Sequence, residues 1–348
     1  MIKLEEQFRH FWYILNEIWK KQNPIRSRSD KEHIYLFGVP KYMNYGDLAI
    51  TVSEIQFLHE HFPKKEVISL SESRTDVQLK YLKRRISKND IIAINGGGNM
   101  DDMYPFQDEM REKIFDIFPN NRIVSFPQSV NYNLENSGSS FYKLKDALLK
   151  TTNTYLFVRD RASFDFLNSN VPANVNVFLT PDIVLDLEFK KPVKRKPIIT
   201  TFLRSDGEKL KNPKVNRLVN KLNEHYTVLT KDTSEPYWMH VITNNNIEKF
   251  VYNKLCEFAA SKLVVTDRLH GMIFSVITGT PAIVFDNSNH KIKHTFNDWL
   301  SDVPYIYFAD ENSNLIEIAD SIMKSKTVKN IPPNFEAKYR SLVDALTL

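Results

Sequence analysis

Along most of the chain, short apolar runs alternate with stretches where apolar side chains recur every three or four residues. The runs Ile34-Tyr35-Leu36-Phe37, Val67-Ile68-Ser69-Leu70, Ile91-Ile92-Ala93-Ile94 and Ile123-Val124-Ser125-Phe126 are apolar nearly throughout, which predicts strands covered on both faces. The residues between them predict helices over 47–61, 75–86 and 106–118. Strands separated by helices predict a parallel sheet.

The rhythm stops at Lys190-Lys191-Pro192-Val193-Lys194-Arg195-Lys196-Pro197, a basic stretch with two prolines and little to bury. It reads as an interdomain linker. The rhythm then restarts, with strands over 198–202, 227–230, 262–266 and 281–285 and helices over 247–261 and 271–278. The predicted fold class is α/β: two Rossmann-like domains, 33–190 and 197–325, with a central cleft. A helical tail over 326–348 follows. Ligands of open α/β sheets bind outside the carboxyl ends of the strands, so the cleft is where chemistry is expected.

Residues 1–32 form a separate lead-in. Leu4, Phe8, Phe11, Leu15 and Ile18 mark one face of an amphipathic helix, which Asn23-Pro24 ends. Packing on the protein's own body or on a second copy in a homo-oligomer is the plain expectation. The alternative is peripheral adsorption to a membrane surface carrying a lipid-linked substrate. Glu5, Glu6 and Glu17 weigh against strong affinity for anionic lipid.

Composition narrows the function. The 348 residues suffice for two ordinary domains, and 42% hydrophobic with 26% charged residues is the balance of a globular protein. A net charge of +5 and a pI near 8.9 suit an enzyme of anionic substrates and are too mild to argue for nucleic acid. A single cysteine, Cys256, excludes an internal disulfide. It reads as a buried, inert thiol, in keeping with a cytoplasmic protein. No run of about 18 apolar residues is present, and charged residues interrupt any secretory signal at the N-terminus. No spacing of His, Cys or paired carboxylates suggests a metal site.

Four constellations carry candidate chemistry. Asn44-Tyr45-Gly46-Asp47 joins the first strand to the first helix. Asp47 is positioned to cap that helix, and the loop could equally contact substrate. Asn95-Gly96-Gly97-Gly98-Asn99 follows the third strand, and its glycines permit close approach of a ligand or backbone. It lacks the spacing of a dinucleotide fingerprint. Val158-Arg159-Asp160-Arg161-Ala162-Ser163 delivers Arg159 to a strand's end beside a helix N-terminus, where an anion or a surface Arg–Asp pair would be at home. Thr266-Asp267-Arg268-Leu269-His270-Gly271 opens a helix after an apolar strand. An arginine and a histidine two apart at the positive end of a helix can clamp an anion and deliver a proton. His290 and His294 fall in a polar loop after a later strand and are weaker candidates for the cleft.

These motifs, with Phe126-Pro127-Gln128-Ser129 and Pro181-Asp182 between them, occur in the order seen in polysaccharide pyruvyl transferases, and the chain resembles that family over about residues 33–300. The resemblance implies a GT-B-like fold and phosphoenolpyruvate as co-substrate, with no further cofactor. It implies a sugar acceptor with two hydroxyls and a pyruvate ketal product on an exopolysaccharide or cell-envelope glycan precursor made in the cytoplasm or at the inner face of the membrane. It further implies that Arg159 and Arg268 hold the donor's anionic groups beside Leu269, with His270 as acid. The more loosely matched Arg204 joins them, and Asn44, Asp47, Gly97, Gly98 and Asn99 line the substrate loops. Asp47 and Asp267 are candidate bases. Ile183-Val184 stands where the family's Pro181-Asp182 motif is followed by proline-alanine. Two rivals remain: a GT-B nucleotide-sugar glycosyltransferase, and an inactive glycan-binding protein.

Overall fold

The computed structural model describes residues 32–204, 213–236, 242–310, 313–326 and 330–347. The amphipathic pattern of residues 2–21 lies outside the described residues.

The first half builds one seven-stranded parallel sheet. Its strands are β1 (His33–Val39), β2 (Glu66–Ser71), β3 (Ile91–Ile94), β4 (Gly97–Asp101), β5 (Arg122–Asn131), β6 (Thr154–Val158) and β7 (Val175–Leu179), in the order β2-β1-β3-β5-β6-β7 with β4 also on β5. Helices α1 (Tyr45–His61), α2 (Thr75–Leu82), α3 (Pro105–Ile117), α4 (Phe141–Leu148) and α5 (Arg161–Asn170) connect them. β1 and β3 are buried at every position, as continuous apolar strands of a covered sheet must be.

β5 is longer than its apolar run predicts, because the polar Pro127-Gln128-Ser129 continues it. Its first part pairs with β3 and its last part with β4. The register against β6 shifts between Ser125 and Gln128, around Pro127, which has no N–H for the ladder.

The second half builds a five-stranded parallel sheet, β12-β11-β10-β8-β9. It comprises β8 (Ile199–Phe202), β9 (Val228–Lys231), β10 (Leu263–Thr266), β11 (Ala282–Val284) and β12 (Ile306–Phe308), flanked by α6 (Pro213–His225), α7 (Ile247–Ala260), α8 (Leu269–Ile277), α9 (Lys291–Thr295) and α10 (Leu315–Lys324). The fold is therefore two Rossmann-like α/β units. Residues 187–198 join them without helix or strand, tied down where Lys196 N donates to Ala260 O at 2.8 Å. Cys256, expected to be buried, is half-buried on α7.

The two units share a core. One apolar cluster runs from Leu48 and Phe57 of α1 through Ile183 and Val184 to Phe258, Met272 and Phe274 of α7 and α8. After α10 the chain returns to the first unit. Tyr339 packs on Phe57, and α11 (Arg340–Leu346) ends where Arg122 Nη1 donates to Ala345 O at 2.9 Å. Among the described residues, no helix is long and apolar enough to cross a membrane.

Candidate active site

The carboxyl ends of both sheets face one pocket of about 300 Å³. The loop before α1 forms part of its wall and bridges the units. Tyr45 N donates to Thr233 O at 2.9 Å, Glu235 N donates to Met43 O at 2.7 Å, and Asn44 pairs with Ser234. Asn44, not Asp47, caps α1: its side chain accepts from Gly46 N at 3.0 Å. Capping suits Asn44 because it precedes the first helical residue in extended conformation, whereas Asp47 already lies within the first turn. The Asp47 side chain lines the pocket and is hydrogen-bonded to Tyr42. Burial, with the Asp47 charge beside it, pushes the Tyr42 phenol far up, so it stays a neutral donor.

His270 sits in the first turn of α8, which starts at Leu269, two residues before the predicted start at 271. Its ring lies against the start of α1. A β-carbon on Gly46 would fall 2.2 Å from His270 Nδ1, so only glycine admits the imidazole there. Gly271 is equally constrained, since a β-carbon would meet Thr266 Oγ1 at 2.2 Å. The ring's Nε2 is buried without a hydrogen-bond partner and lies 3.5 Å from Asp182 Oδ2.

Asp182 links the two halves of the site. Its Oδ2 accepts from Arg159 Nη1 at 2.6 Å, and Oδ1 accepts from Val184 N at 2.9 Å. Arg159 Nε donates to Ser129 Oγ at 2.8 Å, which itself donates to Asp160 Oδ2. Asp160 meanwhile caps α5 through Ser163 N. The Arg159 pair is thus buried and made with Asp182, not the surface pair with Asp160 that adjacency suggests. Burial alone would raise the Asp182 carboxyl, but the Arg159 charge and the His270 ring outweigh it and hold the group well below the usual carboxylate range.

Arg268, at the residue preceding α8, donates through Nη2 to both oxygens of Asp232 at 2.7 and 2.9 Å. Lys291, at the start of α9, enters from the far side. Its Nζ donates to Gly98 O at 3.0 Å and stands 3.7 Å from Asp101. Gly98 lets the cations converge: a β-carbon there would lie 2.9 Å from Arg159 Nη2 and 3.4 Å from Lys291 Nζ. Asn99 is held by Arg111, which donates to its side chain and, at 3.3 Å, to its carbonyl. Arg204 lines the same pocket, with its amide donating to Asp267 Oδ1 at 2.7 Å.

Of the expected residues, His270, Arg159, Arg268, Leu269, Arg204, Asn44, Asp47, Gly98 and Asn99 all border this pocket. Gly97 does not. It takes φ +135 in β4 beside Ile50, serving the backbone path. Asp267 is buried beneath Arg204 and does not border it. His290 pairs with Asp286 at 2.5 Å, and neither it nor His294 lines the pocket. Sequence reasoning missed Lys291, one residue beyond His290, because a lone lysine in a polar loop carries no signal. It missed Phe106 and Gln107 because they read as the start of an ordinary helix. Asp182 was legible within its motif, but its role needed its neighbours.

Two Rossmann-like units closing on a cation-lined pocket define a protein of GT-B-like architecture. A protein of uncharacterized function from Klebsiella pneumoniae shares the fold with a TM-score of 0.55, at 20% identity over 80% of this chain and 93% of that one. UDP-GlcNAc 2-epimerase from Neisseria meningitidis does so with a TM-score of 0.50, at 13% identity over 90% and 99%. The chain belongs to the polysaccharide pyruvyl transferase family, whose model matches residues 44–289. It is 34% identical to general stress protein 30 of Bacillus subtilis over 82% of both chains. It is also 32% identical to pyruvyl transferase 1 of Schizosaccharomyces pombe over 77% of this chain and 69% of the other. Membership makes it a transferase of a family named for moving pyruvyl groups to polysaccharide.

Proposed function

We propose that the protein transfers the pyruvyl unit of phosphoenolpyruvate to two hydroxyls of a sugar, forming a pyruvate ketal on a glycan precursor. The observation that carries this is the convergence of Arg159, Arg268, Lys291 and His270 on one pocket. The donor bears a phosphate and a carboxylate, and several cations bordering one pocket suit two anionic groups.

The chemistry follows from these positions. His270, protonated, gives its proton to the methylene carbon of the donor and turns it into a methyl group. Positive character develops at the adjacent carbon, where one sugar hydroxyl adds, its proton passing to Asp47. The carbon–oxygen bond to phosphate breaks, with the arginines and Lys291 stabilising the departing charge. The second hydroxyl closes the ketal. Of the two hydroxyl protons, one makes good the proton now on the methyl group and the other leaves with phosphate. Asp182 keeps Arg159 in place and lends negative charge to the imidazolium side.

Incubation with phosphoenolpyruvate or a UDP-sugar, side by side over a panel of nitrophenyl and lipid-linked glycosides, tests the proposal. The expected result is release of phosphate and a product heavier by one pyruvate ketal in mass spectrometry. Glycosyl transfer from the UDP-sugar, with none from phosphoenolpyruvate, would overturn it.

A further inference from the structure

The pocket has two chemically distinct ends. At one, Arg159 Nη2 and Lys291 Nζ meet over Gly98, with Arg268 and His270 alongside. The other is formed by the Tyr42–Asp47 pair and by Tyr104, Phe106 and Gln107, where β4 leads into α3. The side chains of this end carry no positive charge, and the Asp47 carboxylate repels an anionic donor.

Phe106 is the unusual member of this second end. It is 60% exposed while bordering the pocket, at the second residue of α3, which Pro105 starts. Tyr104 meets it edge to face, with ring centroids 6.3 Å apart and planes at 84°. The arrangement fixes one side of the phenyl ring and leaves most of it open. Core packing does not explain an apolar ring left in water at the rim of a polar pocket. Beneath it, Gln107 is 4% exposed and donates through Nε2 to Glu72 at 2.7 Å, which fixes its amide.

We propose that Phe106 is the platform of the acceptor subsite and stacks on the apolar C–H face of a pyranose ring, deepening the pyruvyl-transfer reading on which it rests. A pyranose has one such face and a rim of hydroxyls. An aromatic ring beside a carboxylate and a fixed amide matches both features. A sugar seated on Phe106 presents its hydroxyl rim to Asp47 and, beyond it, to the cationic end where the donor carbon lies. Both substrates thus meet along one pocket.

The test measures initial rates for wild type, Phe106→Ala and Phe106→Trp, varying a nitrophenyl hexoside at saturating phosphoenolpyruvate and then the reverse. Phe106→Ala should raise the acceptor KM about tenfold, the scale of one aromatic contact, and leave the phosphoenolpyruvate KM within about twofold. Phe106→Trp should restore the acceptor KM. An unchanged acceptor KM, or an effect falling on the phosphoenolpyruvate KM, overturns the subsite. If wild type transfers nothing, the proposed function has failed, and hexoside binding read by saturation-transfer NMR then decides the subsite by itself. Binding that is lost in Phe106→Ala supports it. Equal binding in both proteins, no binding, or binding of UMP in place of the hexoside overturns it. Because Phe106 is mostly exposed, truncation leaves the core intact, and unchanged thermal unfolding checks this.

Discussion

Replacing Asp182 by asparagine keeps the shape of the side chain and removes its charge. The carboxylate is 1% exposed and faces Arg159, itself 2% exposed, at 2.6 Å. At ~4 Å between charge centres and an effective dielectric near 20, the attraction is about 4 kcal/mol. Breaking one partner of a buried pair costs about 3–5 kcal/mol, because the remaining charge is left uncompensated. Both routes predict a loss of several kcal/mol in Asp182→Asn, read as a lower urea midpoint at pH 7 with unchanged slope. The pH dependence has a definite sign. A carboxyl held below its ordinary value stabilises the fold above its unfolded pKa and loses that contribution as pH falls towards the folded one. The gap between wild type and variant should therefore narrow in acid below about pH 5. A loss below about 1 kcal/mol at pH 7, or a gap that does not narrow in acid, would refute the claim that Asp182 compensates a buried Arg159.

Three further outcomes are expected. His270→Gln should lower kcat about 10²- to 10⁴-fold while phosphoenolpyruvate still binds, measured by calorimetry; a near-normal kcat in the variant removes His270 as the acid. Gly46→Ala should displace the imidazole, since the new methyl would sit 2.2 Å from Nδ1, so kcat should fall with little change in the phosphoenolpyruvate KM; an unchanged kcat would show that the ring's seat on α1 is immaterial. Burial pushes the Glu54 carboxyl up to about 8 despite hydrogen bonds from Gly96 and Asn95. The folded state therefore holds a proton that the unfolded chain gives up, and stability should decline between about pH 4.5 and 8 by up to roughly 1.4 kcal/mol per pH unit. Glu54→Gln should flatten that slope, and parallel denaturation curves for the two proteins across this window would contradict it.

The sequence by itself determined the two strand–helix series, the break in rhythm near 190–197, and the clustering of Asn44, Gly98, Arg159 and His270 at strand ends. These are consequences of local pattern. A continuous apolar run is a covered strand, and the polar residues after it fall at the sheet's carboxyl edge. The tertiary structure decided who stands beside whom. Arg159 takes Asp182 rather than adjacent Asp160, because Asp160 is already committed to the cap of α5. Lys291 reaches Gly98 across 193 residues of chain, and Tyr339 hydroxyl donates to the backbone carbonyl of Asp182 across 157, so the returning tail anchors the backbone of the residue that pairs with Arg159. Glycines carry the same lesson. Three in a row announced a close approach, but only the fold shows that Gly98 admits two cations, Gly97 bends the backbone, and Gly46 admits His270 from the other unit. Local periodicity follows from a few neighbouring residues. A contact between units depends on how two sheets and the helices between them pack, and no single segment encodes that geometry.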